Sequence, residues 1–192
     1  MSKIYVDEIL PKDNATVDGS KLSAVPSSAI SSVSAGAMPS GSTLQTVFAG
    51  NLPASSVSTS SQSYIDTGIQ ATITPTAANN KVIVMANIHF YIQNTDTATW
   101  NAINFILKKT TTSGTEDIYE PHGGATTGYM FGAHTNDAAD RFMARIPFTY
   151  RDTPGTTGSV TYKVYMASKN GYGIQCDRGY GQSEMTLIEV KA

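Results

Sequence analysis

Apolar and polar residues alternate with a period of two along most of this chain. In KVIVMANIHFY, residues 81–91, Val82, Val84, Ala86, Ile88 and Phe90 fall on one face, and Ile83, Met85, Asn87, His89 and Tyr91 fall on the other. Successive strand side chains point to opposite sides, so such a run predicts a β-strand with one face toward a core. SVTYKVYMA (159–167) alternates in the same way through Val160, Tyr162, Val164 and Met166. RFMARIPFTY (141–150) does so through Phe142, Ala144, Ile146 and Phe148, and its Pro147 places it at an edge or a bulge. NAINFILKK (101–109), YIDTGIQATITP (64–75) and EMTLIEVKA (184–192) add three more strands. No long window carries a sustained helical stripe. Turn residues punctuate the runs at 74–80, 110–117, 151–159 and 168–173, and Asn170-Gly171 reads as the strongest hairpin signal. The pattern predicts an all-β fold, an antiparallel β-sandwich of jelly-roll-like form over residues 44–192. Leu44, Val82, Val84, Ile88, Val160, Val164 and Leu187 are its expected core.

The preceding stretch is built differently. Residues 22–65 carry no charge, and nine of the 23 residues from Ser20 to Ser42 are serine. Apolar residues nevertheless recur at Ile30, Val33, Met38, Leu44 and Val47. A solvated linker keeps soluble through charge or proline, whereas spaced hydrophobes among small residues suit an arm lying along another protein surface. Residues 23–43 therefore read as an extended assembly arm with Ile30, Val33, Met38 and Leu44 as its contacts. Composition alone also allows a flexible linker. Residues 1–22, with short strand-like runs about an Asp13-Asn14 turn, read as an N-terminal anchoring β motif.

Composition narrows the function. Of 192 residues, 40% are hydrophobic and 15% charged, against a norm of about 25% charged. The net charge of -2 provides no basic patch for nucleic acid. The single cysteine, Cys176, cannot form an internal disulfide and reads as a small buried hydrophobe. The N-terminal residues lack a signal-peptide apolar run, and no apolar run reaches the ~18 residues of a membrane span, so a soluble protein made in a cytoplasm, without membrane insertion, is expected. His89, in a strand, and His122 and His134, in loop-like sequence, lack metal-ligand spacing. The carboxylates of Glu116, Asp117 and Glu120, and of Asp137 and Asp140, lie in loop-like sequence that does not set up an acid pair. HGGATTG (122–128) lacks the lysine of a phosphate-binding loop. No cofactor, metal or enzymatic activity is expected. Trp100, Tyr119, Tyr129, Tyr172 and Tyr180 sit in loop contexts and are candidate contacts for a host-surface saccharide or protein, or else pack against the sandwich ends.

Four segments carry a resemblance. AGAMPSGSTLQTV, SYIDTGIQATITPTAANNKVIVMANIHFYI, FTYRDTPGTTGSVTYKVYMAS and SEMTLIEVKA occur in an order that resembles phage tail-fibre-like C-terminal domains, over residues 35–192. KIYVDEILPKDNATVDG is similar to short modules found ahead of such domains in phage virion proteins. The resemblance implies a homotrimeric jelly-roll-like head on a bacteriophage particle, joined to other virion proteins through its N-terminal part. A tail fibre for host attachment is the leading expectation. Capsid decoration, in which the protein cements the head shell, is the alternative, and the chain is short for a long-reach fibre. A polysaccharide-degrading spike is the remote third, since neither a β-helix repeat nor an acid pair is present.

Overall fold

The computed structural model describes residues 34–53, 55–93, 99–120, 131–135, 141–176 and 181–192. Met38–Ala192 form one compact unit. Of the unit before it, Met1–Ala37, Ala35–Ala37 form a 3-10 turn closed by the Ala37 N–H on the Ser34 carbonyl at 2.9 Å. The arm expected to be extended over 23–43 is therefore turned at this point, because Ala-Gly-Ala has no β-branch to hold it straight. The 1–22 motif, Ile30 and Val33 lie outside the described residues.

Among the described residues, eleven strands occupy eight lanes. β1 (Thr43–Leu52) and β2 (Val57–Thr59) share the first lane; β3 (Ile65–Ile73), β4 (Lys81–Gln93) and β5 (Thr99–Thr111) form the next three. β6 (Gly114–Tyr119) and β7 (Phe131–Thr135) share the fifth, and β8 (Arg141–Asp152) and β9 (Val160–Ser168) follow. β10 (Ile174–Cys176) and β11 (Ser183–Val190) share the last. Sharing is evident from pairing. β8 takes one edge of β4 along residues 82–93, leaving the other to β11 at 81–87 and β10 at 90–92. The lane order is 1-8-3-6 in the first sheet and 2-7-4-5 in the second. Every pairing is antiparallel, and the pairs 1–8, 2–7, 3–6 and 4–5 are those of one long hairpin rolled into two sheets, a jelly roll.

This topology corrects one expectation. Only the step from lane four to lane five stays within a sheet, so the tight hairpin is Thr111–Gly114, with Gly114 at φ 134°. Asn170-Gly171 lies between β9 of the second sheet and β10 of the first, and Gly171, at φ 80°, turns the chain between layers. The segments 74–80 and 151–159 likewise cross between sheets.

Period-two alternation held where it was read. Val82, Val84, Ala86, Ile88 and Phe90 are 5% exposed or less, and Val160, Tyr162, Val164 and Met166 are fully buried. Leu187 and Cys176 are buried as well, with the Cys176 thiol 3.3 Å from the Met166 sulfur. Leu44 departs from its expected place and is half-buried. It sits in a register shift between Thr43 and Gln45, which takes it off the alternation. Phe90, Phe105, Phe131 and Phe142 cluster between the sheets, with Phe131 and Phe142 stacked at 4.5 Å.

Two buried polar knots bind the layers. Glu189 on β11, fully buried, accepts from the Thr76 N–H at 2.7 Å, the Thr76 hydroxyl at 2.8 Å, Asn80 Nδ2 at 2.7 Å and Gln45 Nε2 at 2.6 Å. Burial opposes ionisation, but the donors of Asn80, Gln45 and Thr76 outweigh it and hold the carboxyl below its ordinary value of 4.5. At the second knot, buried Asp152 on β8 accepts from the Tyr162 hydroxyl at 2.8 Å and pairs with Lys109 Nζ at 3.3 Å. Burial, then this bond, pushes the Tyr162 hydroxyl well above its ordinary range. Burial alone would lower Lys109, yet Glu116, at 2.7 Å, and Asp152 raise it. The first knot ties β11 to β1 and to the crossing between β3 and β4, and the second ties β8 of the first sheet to β5 and β9 of the second.

A group with a depressed folded pKa stabilises above its unfolded value and loses that contribution as pH falls through the folded one. The stability of this protein is therefore expected to fall with acid from about pH 4.5 downward, in part through Glu189. Glu189→Gln, which turns one acceptor into a donor facing Gln45, is expected to cost about 2 kcal/mol or more at neutral pH. The gap in melting temperature between the two proteins should close on acidification; an equally wide gap at pH 3 and pH 7 would contradict the role given to the Glu189 charge.

Candidate assembly surface

The two outer faces of the sandwich differ in kind. On the second sheet, one row across the strands reads Thr72, Thr161, Thr110, Thr115, with hydroxyl pairs at 2.8 Å for Thr72–Thr161 and for Thr110–Thr115. The next row holds Gln70, Lys163, Lys108 and Asp117. Lys163 pairs with Asp66 at 2.9 Å, Lys108 pairs with Asp117 at 2.9 Å, and Lys108 also lies 4.8 Å from the Tyr165 ring. Tyr64, just before β3, donates to Glu120, just after β6, at 3.0 Å and so links the two edge lanes. Each of these charges is answered within the chain, as suits a face in water.

The outer face of the first sheet is different. Phe48 is 66% exposed, Met85 44% and Met143 49%, the large apolar side chains left open among the described residues. They lie on β1, β4 and β8, three lanes of one sheet, and register puts all three on its solvent side. Phe48 is opposite Thr186, which is opposite Met85, and Met143 is opposite Tyr91. Ile83 and Ile188, half-buried partners, extend the apolar surface. His89 and Tyr91 continue the same face but are buried within the chain. The outward face of 81–91 is thus covered internally at one end and open at the other.

Two shallow clefts cut this face. One, of about 300 Å³, is lined by Phe48, Gly50, Arg145, Gln182, Ser183 and Glu184. The second, of about 180 Å³, is lined by Met85, Asn87, Pro147, Thr149, Glu184 and Thr186. Gly50 shapes the first. A Cβ there would stand 2.8 Å from a ring carbon of Phe48, so the ring lies close against the glycine backbone while staying largely exposed. An exposed apolar face with polar rims is the character of a protein contact surface.

The candidate contact aromatics do not gather into one site. Tyr119 belongs to β6 and packs on Phe148 at 6.1 Å and Tyr150 at 5.3 Å, closing the gap between the edge lanes of the two sheets. A register shift between Leu107 and Lys108 turns it inward, away from the loop position expected of it. Trp100 and His134, also read as loop residues, are register partners on β5 and β7. Tyr172 is half-buried between β9 and β10. Tyr129, Tyr180, His122, Asp137, Asp140 and the 122–128 loop lie outside the described residues. Glu116, Asp117 and Glu120 are not loop acids awaiting a substrate. They are strand or strand-end residues, bonded to Lys109, Lys108 and Tyr64. Of the arm contacts, Met38 is half-buried with its carbonyl accepting from Lys191 Nζ, and Leu44 lies in β1. Phe48 and Met143 are not among the candidate residues named from the sequence, although alternation in TLQTVFAGNL already sets Phe48 against Val47 and Ala49.

No family model matches this sequence, and no curated protein matches it. Among solved structures, a subviral particle of infectious bursal disease virus VP2 is similar over 77% of this chain, at 13% identity and a TM-score of 0.44. A structure of the Gx strain of the same virus is similar over 77%, at 12% identity and 0.38. The chain spans 32% and 37% of the length of those two chains. Overlap at this level carries no argument about function, and the jelly roll rests on the strand pairing alone.

Exposed ion pairs contribute about 1 kcal/mol or less. Lys163→Ala, on the self-paired face, should therefore shift the melting temperature by no more than a few degrees. A loss several times larger would show that this face carries structural load beyond the pairs described.

Proposed function

We propose that this chain is a non-enzymatic structural protein of a virus particle, the subunit of a homotrimeric β head carried on a phage tail fibre for host attachment. The observation that carries the reading is the contrast between the outer faces. One sheet answers its own charges, while the other leaves Phe48, Met85 and Met143 open, as a surface made for a neighbour does. Two further features support it. The buried carboxylates Glu189 and Asp152, the groups best placed by burial for unusual chemistry, accept from donors that hold the fold together. The segments that resemble tail-fibre heads also meet at these knots. Gln45, Thr76, Asn80 and Glu189 come from three of them, and Asp152 and Tyr162 from the fourth. The N-terminal part, the 1–22 motif together with the uncharged arm of 23–43, engages other virion proteins in this reading.

Copy number in purified particles tests this reading by quantitative mass spectrometry against the major shell protein. A few dozen copies or fewer per particle agrees with a fibre. Hundreds would replace the fibre with capsid decoration, and absence from the particle would overturn a virion role altogether.

A further inference from the structure

Each sheet ends in two edge lanes, where a row of backbone N–H and C=O groups is open to further pairing. Charge, proline or irregularity blunts three of the four edges. β8 carries Pro147 and the exposed bases Arg145 and Arg151. β3 is broken by a register shift between Asp66 and Gln70, with Gly68 at φ 74°, and its Asp66 pairs with Lys163. The fifth lane is split into two short strands, of which β6 carries Glu116 and Asp117. β1 is different. TLQTVFAGNL has neither charge nor proline, and its register with β11 is regular from Gln45 to Ala49, with exposed Phe48 in that run. Among the described residues β1 pairs with β11 on one side and with no strand on the other.

We propose that the free edge of β1 takes an added strand from a second copy of this chain, residues 27–33 (SSAISSV) of its N-terminal arm, along Gln45–Ala49. The segment suits the edge. It brings no charge, and an uncharged edge has no partner to offer one. Pro26, which cannot donate to a ladder, stands just before it, and the turn of Ala35–Ala37 follows it. In an extended chain Ile30 and Val33 fall on opposite faces. One joins Phe48 on the open face, and the other meets Val47 and Ala49, which pack on the core but are only half-buried at this flank. The path of the chain selects a second copy over the chain's own arm. The residues leading into β1 are held toward β11, on the side away from the free edge. The Gly41 N–H bonds the Lys191 carbonyl, the Lys191 N–H bonds the Ser42 carbonyl, and Lys191 Nζ donates to the Met38 carbonyl. An arm leaving on that side is lent to a neighbour, and such a contact, arm to edge, is heterologous and closes as a ring. This inference rests on the homotrimer reading above and names the surface on the neighbouring copy that the arm engages.

Residue-resolved hydrogen exchange of the full chain across a dilution series, with sedimentation in parallel, tests it. Alternate residues of β1 direct their N–H away from β11. In the trimer these amides should exchange at least about tenfold more slowly than after dilution to monomer. A trimer in which they exchange as fast as in the monomer would overturn the added strand while leaving the trimer standing. Protection that survives in the monomer would place the arm on its own edge and overturn the exchange between copies. A wild type that is monomeric throughout would overturn the trimer itself. Ile30→Pro gives a second readout, since it removes one N–H from the added strand and blocks its ladder. It should weaken association by about tenfold or more and release the same β1 amides. Melting of the compact unit Met38–Ala192 should hardly change, because Ile30 lies ahead of it. A variant that assembles and protects β1 like wild type would also overturn the proposal, and the wild-type dilution series decides the matter if the variant does not fold.

Discussion

The carboxylate of Glu189 is removed from water, and it must be satisfied by donors that the chain brings from far away. Gln45 reaches it from the first lane, and Thr76 and Asn80 reach it from the crossing between β3 and β4. Four charge-assisted bonds at one buried anion are costly to leave unmade. Their geometry fixes how the first lane, the last lane and one sheet crossing meet. Around the same end, the Gly41 N–H bonds the Lys191 carbonyl, the Lys191 N–H bonds Ser42, and the Ala192 N–H bonds Asn80 Oδ1. The two ends of the rolled hairpin are thereby held together, and the pairing of β1 with β11 closes one side of the sandwich. Asp152, Tyr162 and Lys109 do the corresponding work where β8 crosses to β9.

With the layers fixed in this way, each sheet is left with a single outer face, and the two faces have opposite character. A sandwich standing alone in water gains from covering both with polar groups. Here the second sheet does so with paired charges and a threonine row, and the first does not. Its apolar residues come from three lanes that are far apart in sequence, so no local accident of composition accounts for their meeting. The positions of Phe48, Met85 and Met143 follow from the register that the inward residues Val47, Val84 and Phe142 require. The open face is a consequence of the fold, and its chemistry is a choice of sequence.

Strand faces were legible because side-chain alternation is a direct result of strand geometry. Val84 and Met85 could be assigned to opposite faces from the residues alone. The sheet that each strand joins was not legible. The turn at 168–173 has hairpin chemistry, yet whether a chain returns to the same sheet or crosses to the other depends on what is already paired there. Nor could the knots be seen, since Gln45 and Glu189 are 144 positions apart and no local pattern links them. Tyr119 was misplaced because a single register shift, invisible in EDIYE, turned its ring inward. The open face was half visible. Alternation marked two apolar sides in 81–91, but only the fold shows that His89 and Tyr91 are covered and Met85 is not.

The claim that one sheet face is built to be covered by another copy can be read out on its own methionines. Met85 and Met143 are 44% and 49% exposed in the single chain, whereas Met166 and Met185 are fully buried. Peroxide converts exposed methionine to sulfoxide, and peptide mass spectrometry gives the rate at each position. In the native purified protein at micromolar concentration, Met85 and Met143 are expected to oxidise far more slowly than in the denatured chain, approaching the protection of Met166 and Met185. Oxidation of Met85 and Met143 at close to the denatured rate, with Met166 and Met185 still protected, would show a folded protein whose open face stays in water, and would contradict the account.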